Sequence, residues 1–441
     1  MKKHLTYKDS EVAWMGDVPE HWEIKRLKLF SEIILGKMLT PEDKGDYFLK
    51  PYLRAKNLNW LVTDMSDVKK MWFSVRELEI YKLKKDDLLV SEGGEVGRTC
   101  IWDDEIEDCF IQNSVNRVRL KDNYPRYFLY QFFAAGHKGY FDAIVNRVSI
   151  AHLTKEKLAD VIFTLPPLSE QQAIANYLDH KTAQLNTVIS KKERLIELLH
   201  EERTALISHV VTKGLNPDAP MKDSGVAWLG QVPKEWNVIK LKYLATKIGS
   251  GVTPKGGASV YQRSGIPFIR SQNVYFDRLR LENIAFISDD IHKSMSGSKV
   301  FPRDVLLNIT GASIGRCCVV PDKMSEANVN QHVCIIRPNK KVLAHYLNAF
   351  ISSNAGQLQI FSGEKGISRE GLTFEQLKQF DIFLPPHDEQ AAIISYLDRE
   401  TTQIEERINH TEKQTNLLKE YRTALISAAV TGKMDVRKEE I

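Results

Sequence analysis

The chain has no stretch of about 18 consecutive apolar residues, and its basic opening, Met1 to Ser10, leads into no apolar run. Neither a membrane span nor an export signal is expected, and a cytoplasmic location is. Cysteine is scarce. The five residues Cys100, Cys109, Cys317, Cys318 and Cys334 are an odd number without a C-x-x-C pair, which argues against a disulfide framework and a structural zinc site and leaves buried thiols. Charge of one sign is also lacking, since 61 basic residues against 57 acidic ones leave a net charge of only +4. Signatures of catalysis are missing too. No G-x-x-x-x-G-K-[S/T] loop occurs, and Gly249-Ser-Gly251 with Lys255 has the wrong spacing to cradle phosphate. Both Pro-Pro pairs sit in Leu-Pro-Pro contexts rather than in an [N/D]-P-P-[Y/F] methyltransferase signature, and no H-E-x-x-H is present. The twelve histidines are scattered, so no metal and no catalysis are expected of this chain.

What is present is a soluble chain of 441 residues, 43% hydrophobic and 27% charged, long enough for about three domains. It is an internal duplication. Ser10-Glu-Val-Ala-Trp-Met-Gly-Asp-Val-Pro-Glu-His-Trp22 recurs as Ser224-Gly-Val-Ala-Trp-Leu-Gly-Gln-Val-Pro-Lys-Glu-Trp236, and Pro51-Tyr-Leu-Arg-Ala-Lys-Asn57 as Pro267-Phe-Ile-Arg-Ser-Gln-Asn273. Gly93-Gly-Glu-Val-Gly-Arg98 returns as Gly311-Ala-Ser-Ile-Gly-Arg316, Leu165-Pro-Pro-Leu-Ser-Glu-Gln171 as Leu384-Pro-Pro-His-Asp-Glu-Gln390, and Arg203-Thr-Ala-Leu-Ile-Ser208 as Arg422-Thr-Ala-Leu-Ile-Ser427. Charge divides unevenly over this repeat: residues 1–164 carry 26 basic and 26 acidic side chains, whereas 221–383 carry 21 and 13. The positive excess therefore belongs to the second copy.

The best-matched segments, following residues 165 and 384, read as long helices. Ser169 is placed to cap the first, with Gln172 completing a capping box and Gly214 as the stop. Apolar residues recur every seven positions at Leu178, Leu185, Leu199 and Leu206 with Lys192 between, and at Leu397, Ile404, Leu418 and Leu425 with Thr411 between. Such heptads describe the seam of a coiled coil, and roughly 40 residues rising about 1.5 Å each give a rod of about 60 Å. The alternative is two amphipathic helices, each lying on its own domain. The segments before them alternate short β-rich runs, such as Asp87–Ser91, Val115–Leu120 and Asp160–Leu165, with a helical stretch at Tyr127–Ala135. The fold class expected is α+β: two mixed α/β domains, 1–164 and 215–383, separated by two long antiparallel helices within 165–214 and 384–441.

Recognition is the chemistry these residues offer. Arg54/Arg270 and Arg98/Arg316, identical beside glycine turns, could anchor phosphate or buttress their own domains. Gln112-Asn113-Ser114 against Asn330-Gln331-His332, and Asn146-Arg147 against Lys365-Gly366, put different polar chemistry in equivalent slots. These side-chain types read base edges in the major groove, or serve as solvated turn residues. Lys56, Asn57, Gln272, Asn273 and Arg369 complete the candidate DNA-binding set. Trp14/Trp228 and Trp22/Trp236 read as core.

In this order, twice, the Ser-x-x-x-Trp-x-Gly-x-Val-Pro-x-x-Trp opening, the Gly-x-x-x-Gly-Arg turn and the Leu-Pro-Pro-x-x-Glu-Gln helix start resemble the specificity subunit of type I restriction-modification systems. The resemblance covers the whole chain. It implies two target-recognition domains, each reading half of a bipartite asymmetric double-stranded DNA site, and antiparallel helices that dock two methylation subunits. It implies further that S-adenosylmethionine, ATP and Mg2+ act on the methylation and restriction subunits, with no catalytic residue, cofactor, metal or membrane contact in this chain. The charge-neutral first domain departs from the basic surface that the resemblance suggests. Two rival readings remain at this level. A non-DNA adaptor with two binding modules on a coiled-coil strut would show no salt-dependent DNA binding, and a free-standing modification enzyme would bind S-adenosylmethionine.

Overall fold

The structure, a computed structural model, describes residues 3–145, 152–226, 230–276, 278–324, 326–362 and 371–437. Two compact units emerge, 1–193 with 412–441, and 194–411. Each unit takes half of each long helix.

In the first unit a four-stranded antiparallel sheet runs in the order Ser31–Leu35, Val115–Leu120, Leu88–Ser91, Thr99–Ile101. The strand Leu88–Ser91 is buried along its whole length, which explains why it reads as a continuous apolar run rather than as an alternation. A three-stranded sheet joins Lys69–Phe73, Phe48–Leu53 and Phe110–Ile111, the last two parallel. The helix α1, Pro125–His137, begins on a proline whose missing N–H costs nothing in the first turn, and it buries nine consecutive residues from Tyr127 to Ala135. The second unit repeats the plan. Ala245–Ser250, Val333–Pro338, Val305–Asn308 and Cys317–Val319 form the antiparallel sheet, and Ile266–Ile269 runs parallel to Ala327–Val329 in another.

The long helices are α2, Leu168–Lys213, and, following the short helix α3 at Ala344–Ser352, α4 at His387–Val430. Ser169 is not the cap of α2. The helix starts one residue earlier, because the Pro167 carbonyl already accepts the N–H groups of Glu170 and Gln171, at 2.8 and 3.0 Å. What fixes the start is the buried Gln171 amide, which donates to the Pro166 carbonyl at 2.9 Å and accepts the Tyr124 N–H at 2.9 Å. Gln390 does the same with Pro385 and Leu343, at 3.0 and 2.9 Å. The glutamates of the shared motif lock the tryptophans: the Trp22 indole N–H donates to Glu170 at 3.2 Å, and that of Trp236 to Glu389 at 2.9 Å. Both indoles are fully buried, as core residues should be. Gly214 stops α2 at φ +77°, a conformation that strains any residue with a Cβ.

The seam is antiparallel within each unit, since partner numbers in α4 fall as those in α2 rise. Asn186 accepts from Arg422, Lys192 donates to Gln414 at 2.6 Å, and Glu193 pairs with Lys419 at 2.8 Å. In the second unit Glu202 faces Arg407 at 3.7 Å and Arg203 faces Glu405 at 3.8 Å. Leu178 and Leu425 are buried in one core, with Leu185 packed against it, while Leu199 and Ile404 are buried with Leu206 packed on them. Leu397 is buried too, and Leu418 is half-buried. The central polar residue Lys192 bonds Gln414 rather than Thr411, whose hydroxyl donates to the Arg407 carbonyl at 2.7 Å. Each domain also grips the far end of one helix. The Tyr127 hydroxyl donates to the Val430 carbonyl at 3.2 Å, and the equivalent Tyr346 to that of Val211 at 3.5 Å.

All five cysteines are buried thiols outside any disulfide, and burial pushes Cys109 and Cys334 up to about 12. The thiolate is the reactive form, so the folded chain is expected to leave Ellman's reagent nearly untouched at pH 8, whereas the denatured chain releases five equivalents. Rapid stoichiometric reaction of the folded chain would contradict this burial.

Candidate nucleic-acid interface

The repeated motifs converge on one loop cluster in each unit. In the first, the Leu53 carbonyl at the end of its strand accepts the Gln112 N–H at 3.0 Å; in the second, the Ile269 carbonyl accepts the Asn330 N–H at 3.1 Å. That register makes Gln112 and Asn330 equivalent. A tight turn follows each strand, at Ala55–Asn57 and Ser271–Asn273, closed by the asparagine: Asn57 accepts the Arg54 N–H at 3.1 Å, and Asn273 that of Arg270 at 3.0 Å. Their amides then donate to the Asp64 and Arg280 carbonyls, each at 3.0 Å. Asn57 and Asn273 are each only 1% exposed, so they act as struts inside the loop rather than as surface donors, which corrects their place in the candidate set.

The arginines divide by environment. Arg54 donates to the Asp67 carbonyl at 2.9 Å and its carboxylate at 3.0 Å, while Arg270 donates to the equivalent Asn283 carbonyl at 3.0 Å. Arg98 and Arg316 stand on the Gly-x-x-x-Gly-Arg turn, whose second glycine, Gly97 or Gly315, has φ +75° or +88°. Its N–H donates to the carbonyl of Ser91 or Asn308, at 3.0 and 2.9 Å. Arg98 is tied to the Ala55 carbonyl at 2.7 Å and to Glu95 at 3.4 Å. Arg316 instead lies 4.9 Å from the centre of the Tyr275 ring, which also has Arg280 at 3.7 Å, and Ser313 occupies the slot of Glu95.

Three equivalent slots therefore change from acid to neutral or base between the copies: Asp64 to Arg280, Asp67 to Asn283, and Glu95 to Ser313. In the first copy Lys69, Arg54 and Lys56 hold the Asp67 carboxyl well below the usual carboxylate range, so it remains ionised and screens them. This local compensation accounts for part of the charge asymmetry. In the second copy Gln272, Tyr275, Thr310, Arg316 and His332 line a cleft of about 510 Å³. His332 Nδ1 lies 2.6 Å from the Thr310 hydroxyl, and its N–H donates to Asn330 at 3.2 Å. Gln331 is exposed, accepting from the Thr253 hydroxyl.

The structure thus brings Gln272, Arg316 and His332 together, with Asn330 buried behind them and Gln331 adjacent in sequence. In the first unit Gln112 accepts from Ser114 at 2.8 Å, the half-buried Asn113 donates its N–H to the Lys37 carbonyl at 2.9 Å, and the exposed Lys56 sits 3.3 Å from Asp67. Arg147, Lys365 and Arg369, with Asn146 and Gly366, lie outside the described residues, as does Trp228. Tyr275, Arg280 and Thr310 were missed in the sequence, although aligning the two copies sets Tyr275 against Asn59 and Arg280 against Asp64.

A family model described as type I restriction modification DNA specificity domain matches residues 19–198 and again 233–413. A putative type I restriction enzyme MjaX specificity subunit of Methanocaldococcus jannaschii is 24% identical, covering 99% of this chain and 98% of that protein. The EcoBI specificity subunit of Escherichia coli is 25% identical over 82% of this chain and 77% of its own. In fold, a chain from a solved structure of type I R-M complex assembly and conformational transition superposes with a TM-score of 0.71 at 15% identity, covering 95% of this chain and 99% of that one.

Proposed function

From the premise that the chain belongs to the type I restriction modification DNA specificity family, we propose that it recognises a bipartite, asymmetric double-stranded DNA site, one half per recognition domain. It directs two methylation subunits, and the restriction subunits of the full system, to that site. S-adenosylmethionine, ATP and Mg2+ act on those partners, and the pure chain has no turnover of its own. One observation carries this reading: the two copies hold the same backbone cluster in the same register but fill its outer slots with different polar side chains. A shared frame with unlike donors and acceptors suits two different half-sites.

Within the second domain, His332 and Gln331 read bases and Arg316 holds phosphate. Each good base contact discriminates by about 1–3 kcal/mol. His332→Ala is therefore expected to relax the sequence preference at one half-site by roughly ten- to a hundredfold. Arg316→Ala weakens all sequences alike and lowers the slope of log K against log salt by about 1. Adenine methylation mapped genome-wide after reconstitution with a methylation subunit tests the first, and DNA binding titrated at several salt concentrations tests the second. A His332→Ala subunit with an intact fold and an unchanged recognition sequence would overturn its assignment.

A further inference from the structure

Among the described residues, His4, His21 and Glu170 each bring one ligating atom into a set lying within 4.8 Å of one another, at the head of α2. The His4 and Glu170 side chains are each 4% exposed and that of His21 is 43% exposed. The cluster borders a cleft of about 400 Å³ lined by His21, Ser169, Glu170 and Arg437. Glu170 Oε1 accepts the Trp22 indole N–H, while Oε2 lies 2.9 Å from His21 Nε2, and His4 Nε2 is 3.8 Å from Oε1.

We propose that these three side chains form a zinc site, ligated by His4 Nε2, His21 Nε2 and a Glu170 carboxylate oxygen, with water from the cleft in the fourth position. Two imidazoles and a carboxylate are a donor set that zinc accepts, whereas Mg2+ prefers oxygen alone. Tetrahedral zinc with bonds of about 2.0–2.1 Å sets its ligand atoms about 3.3–3.4 Å apart. His21 Nε2 lies 2.9 Å from Oε2 and His4 Nε2 3.8 Å from Oε1, with the three ligating atoms within 4.8 Å of one another, so the site closes when the side chains rotate to bring one carboxylate oxygen to both imidazoles.

The opposing charge is Arg437, 3.9 Å from Glu170 and 3.5 Å from His4 Nδ1, a long contact that ligation through His4 Nε2 requires Arg437 to give up; its guanidinium keeps Asp435 through contacts of 2.8 and 2.7 Å. The second copy supplies a control within the same chain. It keeps the Trp236–Glu389 bond, yet has Asp218 and Glu235 where the first has His4 and His21, so the tryptophan lock does not require the histidines. Zinc would clamp the segment carrying His4 and the turn carrying His21 to the start of α2, whether or not the chain reads DNA.

The test uses the full chain without a histidine tag, stripped by a chelator and titrated with Zn2+ in a calorimeter. One equivalent is expected to bind, undisturbed by excess Mg2+, and His21→Gln and His4→Gln are each expected to weaken it at least about tenfold. His21 is exposed enough that its variant should fold as the parent does, which circular dichroism checks. Co2+ in place of Zn2+ should give tetrahedral d–d bands without thiolate charge transfer. Absence of saturable binding, equal affinity in His21→Gln, or a thiolate band would each overturn the proposal.

Discussion

Trp236→Ala is expected to destabilise the second unit by about 3–5 kcal/mol, the range for deleting a large aromatic side chain from a core. The indole is fully buried in a cluster with Val210, Val211, Val232, Leu241 and Leu384, so its removal leaves a cavity bounded by α2 and by the strand before α4. A second loss adds to the first. Glu389 would be left half-buried without the N–H that now donates to it at 2.9 Å. Trp236→Phe removes the donor and the five-membered ring but keeps a six-membered ring in the pocket, for a smaller expected loss of about 1.5–3 kcal/mol. Trp22→Ala should behave likewise in the first unit, where the indole is also 0% exposed and bonds Glu170. Denaturant titration of both variants measures the difference. Equal, small losses for the Ala and Phe variants would mean that the pocket collapses around the gap and that the indole is not the keystone of its unit.

How much of this was legible beforehand differs from residue to residue. The tryptophans, the Leu-Pro-Pro-x-x-Glu-Gln starts and the heptads were visible because duplication repeats them while their surroundings change. Their physical roles were less so. Ser169 had the composition of a cap, but the extended Pro166-Pro167 backbone already presents a carbonyl to the first helical N–H groups, and the side chains that matter are Glu170 and Gln171. Asn57 and Asn273 had the chemistry of base readers, yet the geometry of their turns consumes both ends of the amide. Nothing in one sequence separates a buried amide from an exposed one when both follow a strand. The loss of an acid at Asp64/Arg280 and Glu95/Ser313 could have been found by aligning the copies slot by slot rather than summing charge over segments. The grouping of His4 and His21 with Glu170 could not, because the last lies 149 residues beyond His21 and only the fold brings it back.

The second large effect concerns the long helices. If α2 and α4 set the spacing between the two half-sites, one heptad inserted after Glu193 and another after Thr411 should lengthen the spacer that is recognised. These points fall between the pairs Lys192–Gln414 and Glu202–Arg407, so matched insertions leave every flanking contact in register. Seven residues add about 10 Å of helix. At about 3.4 Å per base pair, that corresponds to roughly three more base pairs. Those base pairs also turn the duplex by about 100°, so the domains must meet groove faces rotated by that amount. Lengthening α2 alone would put the pairs Lys192–Gln414 and Glu193–Lys419 out of register with Glu202–Arg407 and Arg203–Glu405 by a heptad, so that one set is lost, and methylation should fall at every spacer length. With the matched insertion, methylation mapping is expected to lose the original spacer and gain the longer one. Retention of the original spacer at full rate would show that the helices hold partners without measuring DNA.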